Sequence, residues 1–405
     1  MKSQPLFYPA NPPFSYETKG GTMVVQTNRF GKFIRSKCFA VLFFVGLFFA
    51  NWFTYREICS AFYDTGRHAP GLWLLFLMLG ILIFYEVVRN TTSTFPGKKW
   101  MLRLGGLYVS FFLYWFLSLL LFHLLALIID RIAPYGPWEI LGFYLAFLFA
   151  LVLFLYGLIH SRTVVPVHYT VQAGKEDHTF RIVLLSDVHL GIYNGAKHLG
   201  KVVDAVNAAQ PDLVVIAGDL FDGPHAQAYF DSKAAAAQLG RIQSRNGVVF
   251  AAGNHDPATT DPDFHSFLRA CNISMLNDCG MILDPLIVLG RNDALSVCEP
   301  DRRRPLSLIA SGYPHYRPLI VVDHNPLGID EAAAYGADLV LCGHTHRGQM
   351  FPVTLFTQWA YGTKRFWGQH QFGQTHAIVS AGCGVFQLPI RLGTDNEVVS
   401  IDLVY

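Results

Sequence analysis

One stretch, Leu339-Val340-Leu341-Cys342-Gly343-His344-Thr345-His346-Arg347-Gly348-Gln349, sets the pattern for the C-terminal half of this chain. Its first four residues form an apolar run typical of a buried strand, and Gly343 permits a sharp turn where that strand ends. In an extended backbone His344 and His346 point the same way, because side chains two residues apart share a face. Two imidazoles placed in this way can reach two neighbouring metal ions. Alone the motif is weak, since a histidine pair after a strand also packs against or caps a loop.

Four earlier segments repeat this order of an apolar strand followed by polar ligands. They are Asp187-Val188-His189, the segment Gly218–Gly223 with Asp219 and Asp222, Asn254-His255-Asp256, and Asp323-His324-Asn325. Open α/β sheets place their sites at the carboxyl ends of the strands. Each segment alone has a structural reading as a helix cap or a turn. Five such strand ends in one domain indicate a shared site.

The fold class follows from the elements between these segments. Near-continuous apolar runs, typical of strands covered on both faces, alternate with helix-like segments from Thr163 onward. These runs predict strands over residues 181–186, 213–217, 248–252, 319–322, 339–342 and 378–380. We predict helices over residues 196–209, 232–244, 263–271 and 329–335, and a second sheet formed by the strands 281–289 and 398–404. The expected architecture is an α/β domain over residues 163–405, with two sheets flanked by helices.

The first half of the chain has a different character. The hydrophobic fraction of 52% and the 33 phenylalanines are high for a soluble protein. The excess lies in four long apolar runs, each close to the roughly 20 residues that span a bilayer: Cys38–Tyr55, Pro70–Val88, Gly105–Ile129 and Trp138–His160. We therefore predict a transmembrane α-helical anchor of four spans over residues 37–162, preceded by a disordered, basic cytoplasmic segment over residues 1–36, in which Met23 is an alternative start.

The distribution of charge predicts how the anchor is oriented. Basic residues concentrate before the first span and between the second and third: Arg29, Lys32, Arg35, Lys37, Arg89, Lys98, Lys99 and Arg103. The positive-inside rule places these segments, and the domain after the fourth span, in the cytoplasm. The expected location is a multi-pass protein of the inner (plasma) membrane, in contact with membrane lipid. The net charge of +2 gives no indication of a nucleic-acid partner, and the sequence leaves the oligomeric state open.

Two other features have competing interpretations. His123 is an ionisable residue near mid-membrane, where function is the default hypothesis. With no acidic partner expected in the other spans, a packed helix–helix contact is favoured instead. The run Arg302-Arg303-Arg304 is interpreted as a solvated loop, with contact to phosphate or anionic lipid headgroups as the alternative. The seven cysteines, odd in number and without a C-x-x-C motif, predict reduced thiols.

The ordered motifs D-x-H, G-D-x-x-D, G-N-H-D, H and G-H-x-H resemble those of the calcineurin-like metallophosphoesterases over roughly residues 178–405. The stretches Gly343–Gln349 and Gly384–Arg391 are similar to the bacterial membrane-anchored branch of that family. This branch includes enzymes that resemble UDP-2,3-diacylglucosamine pyrophosphohydrolases of lipid A synthesis. The resemblance implies a metallophosphoesterase fold of two sheets flanked by helices.

The resemblance also implies a dinuclear metal site. One ion would be held by Asp187, His189 and His346, the other by Asn254, His324 and His344, with Asp219 as the bridging ligand. Mixed nitrogen and oxygen ligands suit Mn, Fe, Zn or Co without fixing which divalent ion binds. A hydroxide bridging the ions would be the nucleophile.

Two further residues receive roles from the resemblance. His255 would stabilise the phosphoryl oxygens or protonate the leaving group, and Asp222 would orient His255. Asp222 as a simple turn residue is the alternative. Many relatives have glycine where this chain has Arg347, whose guanidinium would either pair with a substrate phosphate or point to solvent.

These features predict a membrane-anchored hydrolase of phosphodiester or pyrophosphate bonds. UDP-2,3-diacylglucosamine is the expected substrate, because a tethered domain suits a lipid pyrophosphate. The alternatives are a broad or cyclic-nucleotide phosphodiesterase and, in another class, a non-catalytic membrane binding or scaffold module.

Overall fold

A computed structural model describes residues 14–19, 22–27, 37–62, 69–90, 93, 95–134, 137–174, 178–293, 303–314 and 316–405. The chain divides into two compact units. One comprises Lys32–His160 with Gln387–Ile390, and the other comprises Met1–Gly31, Ser161–Phe386 and Arg391–Tyr405.

The first unit is helical. Its helices are α1 (Lys37–Phe62), α2 (Ala69–Asn90), α3 (Lys98–Ile132) and α4 (Trp138–His160), which cover all four predicted apolar runs. Within the described part of the chain, α3 and α4 are long and apolar enough to cross a membrane, whereas the apolar portion of α2, Leu74–Glu86, is shorter. Helix α1 carries the buried polar side chains Asn51, Thr54 and Glu57. Two membrane-spanning candidates are therefore seen, and the four-span anchor stays a prediction.

His123 on α3 does have an acidic partner, contrary to the sequence-based expectation. Its Nδ1 lies 3.4 Å from Oε2 of Glu57 on α1, and Nη2 of Arg56 lies 3.5 Å from its Nε2. Ionisable side chains among apolar helices are favoured when they pair with one another. The sequence shows only that these residues lie on different helices, about 66 positions apart in the chain, so their pairing depends on helix packing.

The second unit contains two six-stranded sheets. The first sheet has the order β3-β14-β4-β5-β6-β7, and every neighbouring pair is parallel except β14 and β4. Its strands are β3 (Val164–Gln172), β4 (Thr179–Leu185), β5 (Leu213–Ala217), β6 (Val248–Ala251), β7 (Ile273–Met275) and β14 (Asn396–Val404). The strand predicted over 398–404 therefore belongs to this first sheet, which corrects its assignment to the second.

The second sheet has the order β12-β13-β11-β10-β9-β8, with a parallel centre and an antiparallel strand at each edge. Its strands are β8 (Cys279–Leu283), β9 (Leu286–Gly290), β10 (Leu319–Val322), β11 (Leu339–Cys342), β12 (Gly368–Phe372) and β13 (Thr375–Val379). The segment predicted as one strand over 281–289 is a hairpin formed by β8 and β9.

Helices cover the outer faces of both sheets. They are α5 (Ala196–Ala208), α6 (Ser232–Leu239), α7 (Pro262–Ala270), α8 (Leu306–Ala310) and α9 (Ile329–Tyr335). Two further helices, α10 (Val353–Tyr361) and α11 (Thr363–Phe366), contain no buried residue. Between the sheets lies one apolar core to which both contribute, for example Leu184 and Val215 from the first and Leu341 from the second. The expected layered α/β sandwich is present, and it brings the carboxyl ends of β4, β5, β6, β10 and β11 together.

The N-terminal segment differs from its prediction. Strands β1 (Phe14–Lys19) and β2 (Thr22–Thr27) pair as an antiparallel hairpin within residues 1–36, for which the sequence predicts disorder. Threonine and valine, which are enriched in strands, occur in the sequence of Thr22–Thr27, so the hairpin does not contradict local propensity. The remainder of the 1–36 prediction lies outside the described residues.

Candidate metal centre

The first group of potential ligands comes from β4 and β11. Asp187 and His189 follow β4, and His346 follows β11; their donor atoms all lie within 4.8 Å of one another. Nε2 of His346 is 3.0 Å from Nε2 of His189 and 3.3 Å from Oδ1 of Asp187. All three residues are buried, so few water molecules can compete for these donors.

The second group comes from β5, β10 and β11. Asp219, His324 and His344 have donor atoms within 4.8 Å of one another. Nε2 of His324 is 3.1 Å from Oδ2 of Asp219 and 3.3 Å from Nδ1 of His344. Asn254, which follows β6, joins this group because its Oδ1 lies 2.8 Å from the same Nδ1 of His344.

The two groups adjoin at Asp219. Its Oδ2 lies 3.7 Å from Nε2 of His189 in the first group and 3.1 Å from Nε2 of His324 in the second. The structure thus brings together all seven residues that the sequence suggests as ligands. Two clusters of imidazole nitrogens and carboxylate or amide oxygens, each converging on one point, are a donor set that fits divalent transition-metal ions. The identity of the ions is not determined by these donors.

The backbone reaches this arrangement by a route that the sequence did not predict. His344 and His346 have φ values of 72° and 50°, and Asp187 and His189 have φ values of 52° and 46°. These are left-handed and not extended conformations, so the premise that the two histidines share one face of an extended chain is wrong. Instead, the turn sends His344 to the second group and His346 to the first. A Cβ on Gly343 would lie 1.6 Å from Oγ of Ser186, so only glycine fits at the start of this turn.

Hydrogen bonds around the ligands fix their orientation. Nδ1 of His324 lies 2.8 Å from the carbonyl oxygen of Ala217, which selects the tautomer that leaves Nε2 free for the site. The Ser186 hydroxyl donates to Asp187. Asp256, to which the sequence assigned no role, accepts from the backbone N–H groups of Asp219 and Gly253, both at 2.8 Å. The buried Asp256 carboxylate therefore holds the loop that carries Asp219.

Burial and neighbouring charges shift the protonation equilibria of the site. Burial favours the neutral carboxyl, yet the positive charges of His324 and His255 hold the pKa of Asp219 well below its usual value. Burial, together with the nearby His324, lowers the pKa of His344 to about 3. Metal binding requires neutral imidazoles beside the ionised carboxylate. His344 meets this requirement. Although burial lowers the pKa of His324, the adjacent carboxylates of Asp219 and Asp187 raise it well above its ordinary value, so this histidine would lose a proton when an ion binds.

His255 lies beside the ligands without joining either group. Its backbone N–H donates to Oδ1 of Asp219 at 2.9 Å, and its half-buried ring has its centroid 5.5 Å from that of His189. The carboxylate predicted to orient it, Asp222, makes its ion-pair contact with His189 instead, with Oδ1 3.5 Å from Nδ1. The structure therefore places Asp222 behind a first-group ligand as well as near His255.

Phe386 is a site residue that sequence reasoning missed. Its ring centroid lies 4.6 Å from that of His255, 4.8 Å from His189 and 5.9 Å from His346. This half-buried ring covers one side of the first group and restricts access of water. Phe386 falls within the stretch Gly384–Arg391 singled out in the sequence, but a phenylalanine among apolar residues has no distinctive local signal.

Three arginines from the stretches singled out in the sequence, Arg347, Arg391 and Arg303, make defined contacts in the structure. The Arg347 guanidinium stacks on Trp367, 3.7 Å from the ring centroid, so it does not simply point to solvent, and its pairing with a substrate phosphate stays a prediction. Arg391 is buried and donates to the carbonyl oxygens of Gly384 and Ala381, at 2.6 and 2.8 Å.

Arg303 is buried in an ion pair with Asp323, which corrects the solvated-loop interpretation for that residue; Arg302 lies outside the described residues.

Comparisons with known proteins agree with this geometry. Residues 180–348 match the model of the calcineurin-like phosphoesterase family. A zebrafish (Danio rerio) "transmembrane protein with metallophosphoesterase domain" is 32% identical over 64% of this chain and 62% of its own length. An "uncharacterized metallophosphoesterase" of Helicobacter pylori is 25% identical over 90% of this chain and 98% of its own length. An Escherichia coli "phosphodiesterase" is 28% identical over 56% of this chain and 82% of its own length. The chain thus spans about three fifths of the zebrafish relative's length.

Proposed function

We propose that this chain, whose residues 180–348 form a calcineurin-like phosphoesterase domain, is a membrane-associated, metal-dependent hydrolase of phosphate esters or anhydrides. The observation that carries the proposal is the pair of ligand groups that adjoin at Asp219. A structural role alone does not account for seven mixed donors that converge in this way at one edge of a sandwich.

The proposed ligand roles follow the two groups. Asp187, His189 and His346 would hold one divalent ion, Asn254, His324 and His344 would hold the other, and Asp219 would serve both. When bound, two such ions supply Lewis acidity, lower the pKa of a water molecule and neutralise phosphoryl oxygens. The chain itself holds the donors in place through Ala217, Ser186 and Asp256, so little reorganisation is needed when ions and substrate bind.

His255 is the proposed proton donor. Its ring is only partly buried and lies beside the first ligand group, where a departing substrate oxygen can reach it. In its protonated imidazolium form, His255 would give its proton to the leaving oxygen and become a neutral imidazole, which would avoid release of a free alkoxide or phosphate dianion. Asp222, near both His189 and His255, is the proposed residue that orients these two rings.

The proposed substrate is a lipid pyrophosphate, with UDP-2,3-diacylglucosamine as the specific candidate. Support comes from the similarity of Gly343–Gln349 and Gly384–Arg391 to the membrane-anchored branch, and from two helices apolar enough to cross a membrane. Such a domain meets substrates whose acyl chains stay in the bilayer. We further propose the four-span arrangement over residues 37–162, in an inner membrane, with the domain in the cytoplasm.

A broad phosphodiesterase is the second candidate, and two comparisons favour it. The E. coli relative is named a phosphodiesterase, and the zebrafish relative shows that this combination of domain and membrane segment extends beyond bacteria. This candidate predicts that water-soluble diesters are cleaved as readily as lipid pyrophosphates.

The test is an assay of the purified full-length protein with Mn²⁺, comparing UDP-2,3-diacylglucosamine with bis(p-nitrophenyl) phosphate. Asp219→Ala and His255→Ala are assayed beside the matched controls Asp204→Ala and His178→Ala, whose side chains are exposed outside the site. Release of UMP from the lipid, lost in the two site variants and kept in both controls, is the expected result.

Two other results of this assay would each overturn part of the proposal. Cleavage of only the soluble diester would retain the site and overturn the lipid substrate. No turnover of either compound by metal-loaded protein would overturn the hydrolase and favour the binding-module alternative. Accessibility of a tag at each terminus to an external protease in oriented vesicles tests the proposed orientation separately.

A further inference from the structure

Helix α10 exposes its apolar side chains and turns its polar ones toward the domain. The large apolar side chains Phe351, Val353, Leu355, Phe356 and Trp359 are 50%, 36%, 56%, 67% and 50% exposed. The polar residues Thr354, Thr357 and Gln358 are less exposed than these, and the helix contains no buried residue.

This orientation is the reverse of that in an ordinary surface helix. A helix on a soluble domain buries its apolar stripe and presents polar residues to water. Isolated exposed apolar residues are common, but a contiguous group with two aromatic rings marks an interaction surface. Leu355 and Trp359 are spaced by four, so they form one stripe along the helix, with Phe356 beside it, whereas Phe351 precedes the helix.

The helix is fixed to the domain on its other side. The backbone N–H of Thr354 donates to the carbonyl oxygen of Met350 at 3.2 Å, and Gly348 lies so close to Thr354 that no Cβ would fit there. At the C-terminal end of the helix, the ring centroid of Tyr361 lies 5.8 Å from that of His344. The C-terminal end of the helix therefore lies beside the candidate metal centre, while the apolar stripe faces away from the domain.

Charge and chain connectivity indicate which partner covers this stripe. Between Leu339 and Thr394 the sequence contains no Asp or Glu, while Lys364 and Arg365 directly follow the helix. Lys364 is exposed, whereas Arg365 pairs with Asp330. Only residues 161–163 separate helix α4, which is apolar enough to cross a membrane, from the first strand of the domain. Aromatic rings beside cations are the composition of helices that lie in the headgroup region of anionic bilayers.

We propose that α10 is an interfacial helix that inserts Leu355, Phe356 and Trp359 into the surface of an anionic lipid bilayer, with Lys364 at the headgroup phosphates. Insertion would place the turn that carries His344 and His346 at the level of the headgroups. The proposal concerns membrane contact and does not depend on the proposed hydrolysis, because insertion is measurable without turnover.

The test is photo-crosslinking of the full-length protein in vesicles of phosphatidylglycerol and phosphatidylethanolamine. Phe356→p-benzoylphenylalanine places a photoreactive ring on the stripe with little change in shape. Gln358→p-benzoylphenylalanine is the control on the opposite face of the same helix, and Tyr316→p-benzoylphenylalanine is the control at an exposed aromatic outside it. After irradiation, intact-mass and peptide analysis identify what each ring has captured.

We expect phospholipid adducts at position 356 and none above background at the two controls. Addition of Lys364→Gln, which removes one positive charge, should reduce the adduct by about fivefold in anionic vesicles, the factor that one cation contributes near such a surface. Adduct formation at 356 no greater than at 316 would overturn the proposal. Capture of a second copy of the chain in place of lipid would also overturn it and identify a dimer interface instead.

Discussion

Nη1 of Arg303 donates a hydrogen bond to Oδ1 of Asp323 at 3.0 Å, and both side chains are buried. Asp323 directly precedes His324, so this pair fixes the end of β10 from which a proposed metal ligand extends. Arg291 lies in the same cluster and donates to Glu331 at 2.9 Å. A buried network of opposite charges thus holds the end of β10, which carries His324 of the second ligand group.

Arg303→Met should strongly destabilise the domain. The substitution leaves the Asp323 carboxylate buried without its partner, at a cost of about 3–5 kcal/mol in the free energy of unfolding. The loss of stability is measured by unfolding in urea. Hydrogen exchange, monitored on peptides from residues 319–342, reports the unfolding of the domain without interference from the helical unit. Arg304→Met, at an exposed side chain, is the matched control and should have little effect. Equal stability of the two variants would contradict a supporting role for the pair.

Asp256→Ala should weaken metal binding as well as stability. It leaves the buried backbone N–H groups of Asp219, Phe221 and Gly253 without their acceptor, and each such loss costs about 1–3 kcal/mol before relaxation. Because Asp219 would no longer be held, the metal content after dialysis should fall, as measured by elemental analysis.

The control for Asp256 is Asp261→Ala, which removes the N-terminal cap of α7 away from the ligands. That substitution should cost about 1 kcal/mol and leave the metal content unchanged. Full metal content in Asp256→Ala would show that Asp219 keeps its position without this carboxylate.

Asp222→Asn separates two positioning roles. If the carboxylate acts mainly on His189, its nearest contact, metal affinity should fall by about 10–100-fold. If it acts mainly on His255, kcat should fall while metal affinity stays unchanged. Titration with Mn²⁺ alongside steady-state kinetics distinguishes them. Unchanged affinity and unchanged kcat would show that Asp222 is only a turn residue.

Asp402 supports a prediction of pH dependence far from the metal centre. Oδ1 and Oδ2 of Asp402 on β14 accept from Nε and Nη2 of Arg181 on β4, at 2.7 and 3.1 Å. Hydrogen bonds from this guanidinium lower the pKa of Asp402 below its ordinary value of 3.8. The pair therefore contributes stability above about that pH, and the contribution is lost as the pH falls through the lowered pKa.

Asp402→Asn should accordingly cost about 0.2–1 kcal/mol at neutral pH, a small value because the Arg181 side chain is 39% exposed and screened by solvent. The difference from the unaltered protein should vanish in acid. Unfolding midpoints measured across this pH range test the prediction, which would fail if the difference persisted below the lowered pKa.

Much of the domain was predictable because its signals are local. The strands predicted at 213–217, 319–322 and 339–342 have the same bounds in the structure, since short apolar runs between polar loops mark buried strands. The polar residues after those runs also identified the ligand candidates. Pairing was less predictable: strand 398–404 inserts between β3 and β4, a choice made by contacts with residues far away in the chain.

The sequence alone therefore determined the order of strands and polar strand ends, the helical first half and the seven residues that meet at the centre. Only the tertiary structure decided the left-handed turns at Asp187 and His344, the pairing of His123 with Glu57, the burial of Arg303 and the outward apolar face of α10. The physical reason is the distance along the chain over which each kind of interaction acts. Hydrophobic runs act between neighbours in the chain, whereas charge pairing, close packing and exposure depend on which distant segments fold against one another.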